Sequence, residues 1–269
     1  LDEAKTASTG GPETSMSSTG LFAGCMGRGA IVAVIDSGVH PGHDHIDARR
    51  LGPGIMVIPD GTIADGPDVW LDRLGHGTAV TAAIQEKAPE AICLPVRVFR
   101  DSLKTSATAL IAAIGWAVGQ RADIVNLSLG TMNEAHRAAF AAAVAEAAAA
   151  GTLVVAARDM DGAPCYPGAL DGVAGVGLDW ECPRSLYRAQ RHGEQIDFLA
   201  SGYPRPIPGV PLQRNVFGIS FAVAQISGFA ALARERLAPG MPLGRVGQEI
   251  RRLLEKEVAE GETARSSPN

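Results

Sequence analysis

Along the chain, short apolar runs recur and each ends at a cluster of Gly, Ser, Asp or Asn. Residues 31–36 (IVAVID), 91–99 (AICLPVRVF), 123–130 (DIVNLSLG), 152–157 (TLVVAA) and 172–178 (GVAGVGL) are almost continuously hydrophobic. Runs of that length without polar alternation predict strands buried on both faces. Between them, 76–86, 106–120 (SATALIAAIGWAVGQ) and the alanine-rich 133–150 (NEAHRAAFAAAVAEAAAA) predict helices, with Asn133 as the N-cap of the last. Strands alternating with helices predict an α/β fold, with a mainly parallel central sheet and helices on both faces. Residues 183–216 are rich in proline and hold one short strand-like run, QIDFLA (195–200), so they predict irregular surface and a hairpin. In such sheets ligands bind beyond the carboxyl ends of the strands, so the residues closing each run carry the chemical interest.

The ends of the chain lack this pattern. Residues 1–20 are rich in Ser, Thr and Gly and predict a flexible arm, residues 261–269 predict a tail, and 21–260 form one domain. Only 5% of residues are aromatic, against 46% hydrophobic overall, so the core must pack closely on Ala, Gly and Val. The net charge of −5 and the lack of any long Lys/Arg run argue against a nucleic-acid partner. No apolar stretch reaches membrane-spanning length, so no membrane partner is expected. Leu1 rather than Met opens the sequence, which leaves a removed N-terminal segment open. Of the four cysteines, only Cys165 and Cys182 stand where pairing is conceivable. Four reduced thiols in a cytoplasmic protein is the preferred reading, with a secreted or periplasmic location as the alternative.

Three polar residues close apolar elements. Asp36 ends a strand in VAVIDSGVH, His76 opens a helix of small residues in GHGTAVTAAI, and Ser220 opens another in FGISFAVAQISG. Singly, each reads as turn or capping chemistry. Together they supply the orienting carboxylate, the general base and the nucleophile of acyl transfer. A helix N-terminus beneath the serine would also present backbone N–H groups to a developing oxyanion.

With those residues in view, the sequence resembles the subtilisin-like serine proteases, the subtilases. The resemblance rests on Asp36-Ser37-Gly38, His76-Gly77-Thr78 and Gly218-Ile219-Ser220-Phe221-Ala222, in the order Asp, His, Ser, and runs from about residue 21 to about 255. It implies a subtilisin-like fold and a serine endopeptidase that needs no cofactor, with a peptide or protein as substrate. Asn126-Leu127-Ser128-Leu129-Gly130 resembles the strand on which the family pairs its substrate, so Ser128, Leu129 and Gly130 are expected to bind peptide. Cys165, before Tyr166-Pro167-Gly168, falls where the family closes a specificity pocket, with Met160 close by in sequence.

One position departs from the pattern. After the strand that VVAA matches, the family has Gly-Asn, whose Asn donates to the oxyanion; here the pair is Arg158-Asp159. An ionised Asp159 would repel that oxyanion. Either burial keeps Asp159 protonated, as the precedent of a proprotein convertase with Asp there allows, or Arg158 swings in as the donor, or turnover is slow. Ala79 also replaces a family His, and His45 falls near a family calcium-ligating Asp. The cluster His40, His43, Asp44 and His45 lacks a closed ligand set, so no metal is expected. The altered oxyanion position points to a restricted-specificity processing protease that removes a leader or matures a partner. The alternative is a catalytically weak or inactive peptide-binding module.

Overall fold

The computed structural model describes residues 22–192, 195–211 and 215–266; the predicted N-terminal arm and the last residues of the tail lie outside the described residues. In chain order the strands are β1 (Ile31–Asp36), β2 (Ile55–Val57), β3 (Ile63–Ala64), β4 (Ile92–Arg97), β5 (Ile124–Leu127), β6 (Leu153–Ala157), β7 (Asp159–Met160), β8 (Ala163–Pro164), β9 (Ala174–Leu178), β10 (Arg188–His192) and β11 (Gln195–Ala200). The α-helices are α1 (His76–Lys87), α2 (Ala107–Gly119), α3 (Arg137–Ala150), α4 (Ile219–Glu235) and α5 (Val246–Ser266). Nine strands form one sheet in the order β10-β11-β9-β6-β5-β1-β4-β2-β3. All its pairings are parallel except those of the edge strands β10 and β3. The fold is therefore the mainly parallel α/β architecture that the alternating pattern predicts.

Alternation within β1 divides the core. Val32 and Val34 join one cluster with residues of α1, α4 and α5, whereas Ala33 and Ile35 join another with residues of α2 and α3. A strand clothed on both faces has no use for polar positions, which is why IVAVID reads as an unbroken apolar run. The alanine-rich α3 hides its stripe from composition, yet it buries Phe140, Ala143, Val144 and Ala147, the spacing of a single helix face. Asn133 does accept from Ala135 N, at 3.1 Å, but it caps a 3₁₀ turn (Glu134–His136) that leads into α3.

The sheet also fixes where a site can form. β1 pairs with β4 on one side and β5 on the other, so the chain leaves its first strand in both directions. That reversal opens a crevice at the carboxyl end of β1, and Asp36 is the last residue of β1.

Candidate active site

Asp36 is fully buried at the end of β1. Its Oδ1 accepts from Ser37 N at 2.7 Å and lies 2.7 Å from His76 Nδ1. Its Oδ2 has no hydrogen-bond partner among the described residues. The imidazole sits at the first residue of α1, whose preceding residue, Gly75, adopts φ 84°. Backbone fit makes this approach possible. A Cβ on Gly77 would stand 2.2 Å from Gly38 O, so only glycine lets the first turn of α1 lie against the loop after Asp36. Burial alone would lower the pKa of His76. The hydrogen bond and charge of Asp36, with the charge of Asp72, outweigh it and raise the pKa above the usual 6.5.

Ser220 lies in the first turn of α4, which packs against α1. The residue before α4, Gly218, has φ 146°, and no side chain caps the helix; Phe221 N donates to Gly218 O at 3.1 Å, which leaves the amides of Ile219 and Ser220 to face a ligand. The two helix starts meet through Phe221, whose ring centroid is 5.9 Å from that of His76. Ser220 Oγ donates to Ser128 O at 3.4 Å, and Ser128 Oγ donates to Ser220 O at 3.4 Å. In this conformation the serine hydroxyl faces the end of β5; among the described residues no hydrogen bond joins it to His76. A turn about χ1 redirects such a hydroxyl, and catalytic bonds commonly tighten only once substrate is bound. Beneath this contact, Asn126 Nδ2 donates to Ser128 Oγ at 3.0 Å and Ser227 Oγ donates to Asn126 Oδ1 at 3.0 Å. This buried chain ties β5 to the body of α4.

The residues expected to bind peptide occupy two adjoining segments. Ser128, Leu129 and Gly130 continue from β5, and Thr131 exchanges backbone hydrogen bonds with Tyr166, at 2.9 and 2.8 Å. Gly130 permits this approach, because a Cβ there would meet Tyr166 O at 2.5 Å and Cys165 Sγ at 2.6 Å. Cys165 is thus packed beneath Gly130, buried, with burial first and the charge of Asp159 second raising its thiol pKa. Met160 stands exposed on β7. Cys165 and Cys182 are both buried, and no disulfide joins them.

Arg158 and Asp159 take up unexpected positions. Asp159 belongs to the small β7–β8 hairpin, keeps 36% of its side chain exposed, and accepts from Gly162 N at 3.3 Å. Its carboxylate lies in a half-exposed hairpin and not in the core. Arg158 is turned away as well, for its Nε lies 2.5 Å from Oδ2 of the buried Asp197 on β11. In this arrangement the guanidinium is engaged with Asp197, and moving it to an oxyanion would strip a countercharge from a buried carboxylate.

A functional candidate that the sequence reading missed is Asp72, four residues before His76. It accepts hydrogen bonds from both loops that carry Asp36 and His76. Its place four residues ahead of His-Gly-Thr was the available signal; an Asp in a polar loop reads as turn chemistry.

Known proteins resemble this chain in sequence and in fold. A sequence model of the Subtilase family matches residues 27–159. The minor extracellular protease Epr of Bacillus subtilis (strain 168) is 31% identical over 192 residues, covering 67% of this chain and 28% of that protein. The alkaline elastase YaB of Bacillus sp. (strain YaB) is 30% identical over 233 residues, covering 79% and 56%. Thermitase of Thermoactinomyces vulgaris is 29% identical over 241 residues, covering 85% and 81%. The chain thus spans less than two thirds of the length of the first two relatives. The crystal structure of a lanthipeptide protease superposes with a TM-score of 0.62 at 21% identity, covering 81% of this chain and 78% of that one, which shows a shared fold. By these matches and by its sheet, this chain belongs to the subtilase family.

Proposed function

We propose that this protein is a serine endopeptidase that cleaves peptide bonds through an acyl-enzyme, with Asp36, His76 and Ser220 as its catalytic residues. The observation that carries the reading is the 2.7 Å contact of His76 Nδ1 with buried Asp36 at a crevice where α4 also presents Ser220. Asp36 holds the imidazole by Nδ1, which leaves Nε2 to take the proton of Ser220 as its oxygen attacks the substrate carbonyl. The imidazolium then protonates the leaving amine, and water releases the acyl group by the same route reversed. The amides of the first turn of α4 receive the oxyanion. An extended peptide pairs with the edge Ser128–Gly130, and Met160 and Cys165 border the pocket beside it.

Asp159 narrows the reading to a restrained processing protease. Where a subtilisin loses one oxyanion donor, turnover falls by about 10²–10³-fold, and a carboxylate in its place is worse than a missing donor. Slow chemistry suits an enzyme that cuts one dedicated leader or maturation site, and the structural neighbour is itself a lanthipeptide protease. Among the described residues no helix is long and apolar enough to cross a membrane. A cytoplasmic setting, in which thiols such as Cys93 and Cys165 stay reduced, fits this reading.

The rival reading, a module that grips peptide without cutting it, draws on the same Asp159 and on the turn of Ser220 toward Ser128. A fluorophosphonate probe separates the two. Labelling of Ser220 that vanishes in His76→Ala supports the enzyme, whereas a folded, peptide-binding protein that takes no label supports the module.

A further inference from the structure

Asp72 has no part in the mechanism above, yet its carboxylate is the most heavily bonded group near the crevice. Oδ1 accepts from Ser37 Oγ at 2.8 Å, Leu74 N at 2.8 Å and Gly75 N at 2.9 Å. Oδ2 accepts from Thr78 N at 2.9 Å and Thr78 Oγ1 at 2.6 Å. Two of the donors extend the network: Ser37 Oγ accepts from Gly77 N at 2.8 Å, and Thr78 Oγ1 accepts from His40 N at 3.0 Å. A turn-stabilising Asp needs only the bonds to Leu74 and Gly75. Those to Ser37 and Thr78 do something else, because Ser37 follows Asp36 and Thr78 stands two residues past His76.

We infer that Asp72 is a positioning residue that locks the Asp36 loop to the His76 helix and sets a second negative charge behind the imidazole. The inference rests on the roles proposed for Asp36, His76 and Ser220. Burial opposes the ionised form of Asp72, but the hydrogen bonds from Thr78, Leu74 and Gly75 prevail and hold its pKa below the ordinary carboxylate value. Its charge is thus present across the range in which an imidazole titrates. The carboxylates that act on His76 are Asp36 and Asp72, and α4 contributes the Phe221 ring. The cation that faces Asp72 from β4 is Arg97, with Arg73, Arg100 and Asp101 around it. The Arg97 guanidinium is engaged by the carbonyls of Phe99, Val69 and Arg100, so it does not compete for the Asp72 oxygens.

The test is an NMR titration of the His76 imidazole alongside fluorophosphonate labelling across pH, in the parent, Asp72→Asn and Ser37→Ala proteins. In Asp72→Asn the His76 midpoint should fall by about half a unit, roughly threefold in proton affinity, and labelling on the plateau should slow about tenfold through lost alignment. Ser37→Ala keeps the charge and removes one tie, so labelling should slow while the midpoint stays. A folded Asp72→Asn protein with an unmoved midpoint and labelling within twofold of the parent overturns the inference. If Asp72→Asn does not fold, unchanged labelling in Ser37→Ala overturns it instead. A parent that takes no label sinks the enzyme reading alone, since the titration midpoint still decides the role of Asp72.

Discussion

The two halves of the crevice are built to different standards. The Asp36–His76 half is buried, laced by hydrogen bonds of 2.6–3.0 Å and closed by glycine contacts that leave no room for a methyl group. The Arg158–Asp159 half is a hairpin of two-residue strands, with Asp159 partly exposed, accepting from Gly162 N at 3.3 Å and lying 3.8 Å from Arg158 Nη1. Proton transfer demands tenths of an ångström, and the first half is rigid enough to supply that. Oxyanion stabilisation tolerates gradation, and the second half holds Asp159 where the subtilase resemblance leads one to expect Asn. The catalytic rate is therefore expected to be set by the looser half.

Steric intrusion into the tight half should have the largest effect. Gly77→Ala places a Cβ against Gly38 O, so labelling of Ser220 should fall by more than about 100-fold, with stability reduced by about 1–3 kcal/mol or more. Denaturant unfolding and probe kinetics on the same sample measure both, and near-parental rates would show that the two loops can part. Next comes the loose half. Asp159→Asn exchanges a repelling carboxylate for a donor, and kcat/KM on a good peptide should rise about tenfold. Loss of all activity in a folded Asp159→Asn protein would reverse the comparison and make the carboxyl essential.

A smaller effect concerns pH. His76 must be neutral to accept a proton, and its partners raise its pKa, so the acid limb of kcat/KM should have its midpoint above 6.5. By linkage the same raised pKa stabilises the fold below the unfolded value and is lost as pH rises through the folded one. An acid limb well below 6.5 would mean that burial outweighs the two carboxylates. The smallest effect should come from Gly162→Ala in the hairpin turn. Gly162 has φ 81° but open space around it, so the expected cost is about 1 kcal/mol with labelling changed less than threefold. A drop as large as that of Gly77→Ala would show that the hairpin is as exacting as the buried half.

The same contrast governs what could be read from sequence. β1 is legible to the residue because both its faces are buried, and β11 likewise matches its predicted run. β2, β3, β7 and β8 are only two or three residues long, too short for any periodicity to emerge. Asp36, His76 and Ser220 stand out because each lies at the end or the start of an apolar element inside a motif. Asp72 escaped notice because its importance lies in partners from two loops, and one of them, Ser37, is remote in sequence. The bond from Arg158 to Asp197 was equally hidden, since neither residue signals the other. Local apolar pattern thus conveys the frame and the motif residues, while long-range polar pairing stays invisible until the chain is folded.

Helix α4 has one last consequence. Its 17 residues, about 25 Å end to end, bear Ser220 in the first turn and Glu235 as the last residue, whose Oε2 accepts from Met26, Gly27 and Arg28 amides at 2.7, 2.7 and 3.0 Å. A single rod therefore bolts the mouth of the crevice to the loop of Met26, Gly27 and Arg28 that precedes β1. Because α4 follows both Asp36 and His76 along the chain, the three groups can meet only after this rod has been made and docked.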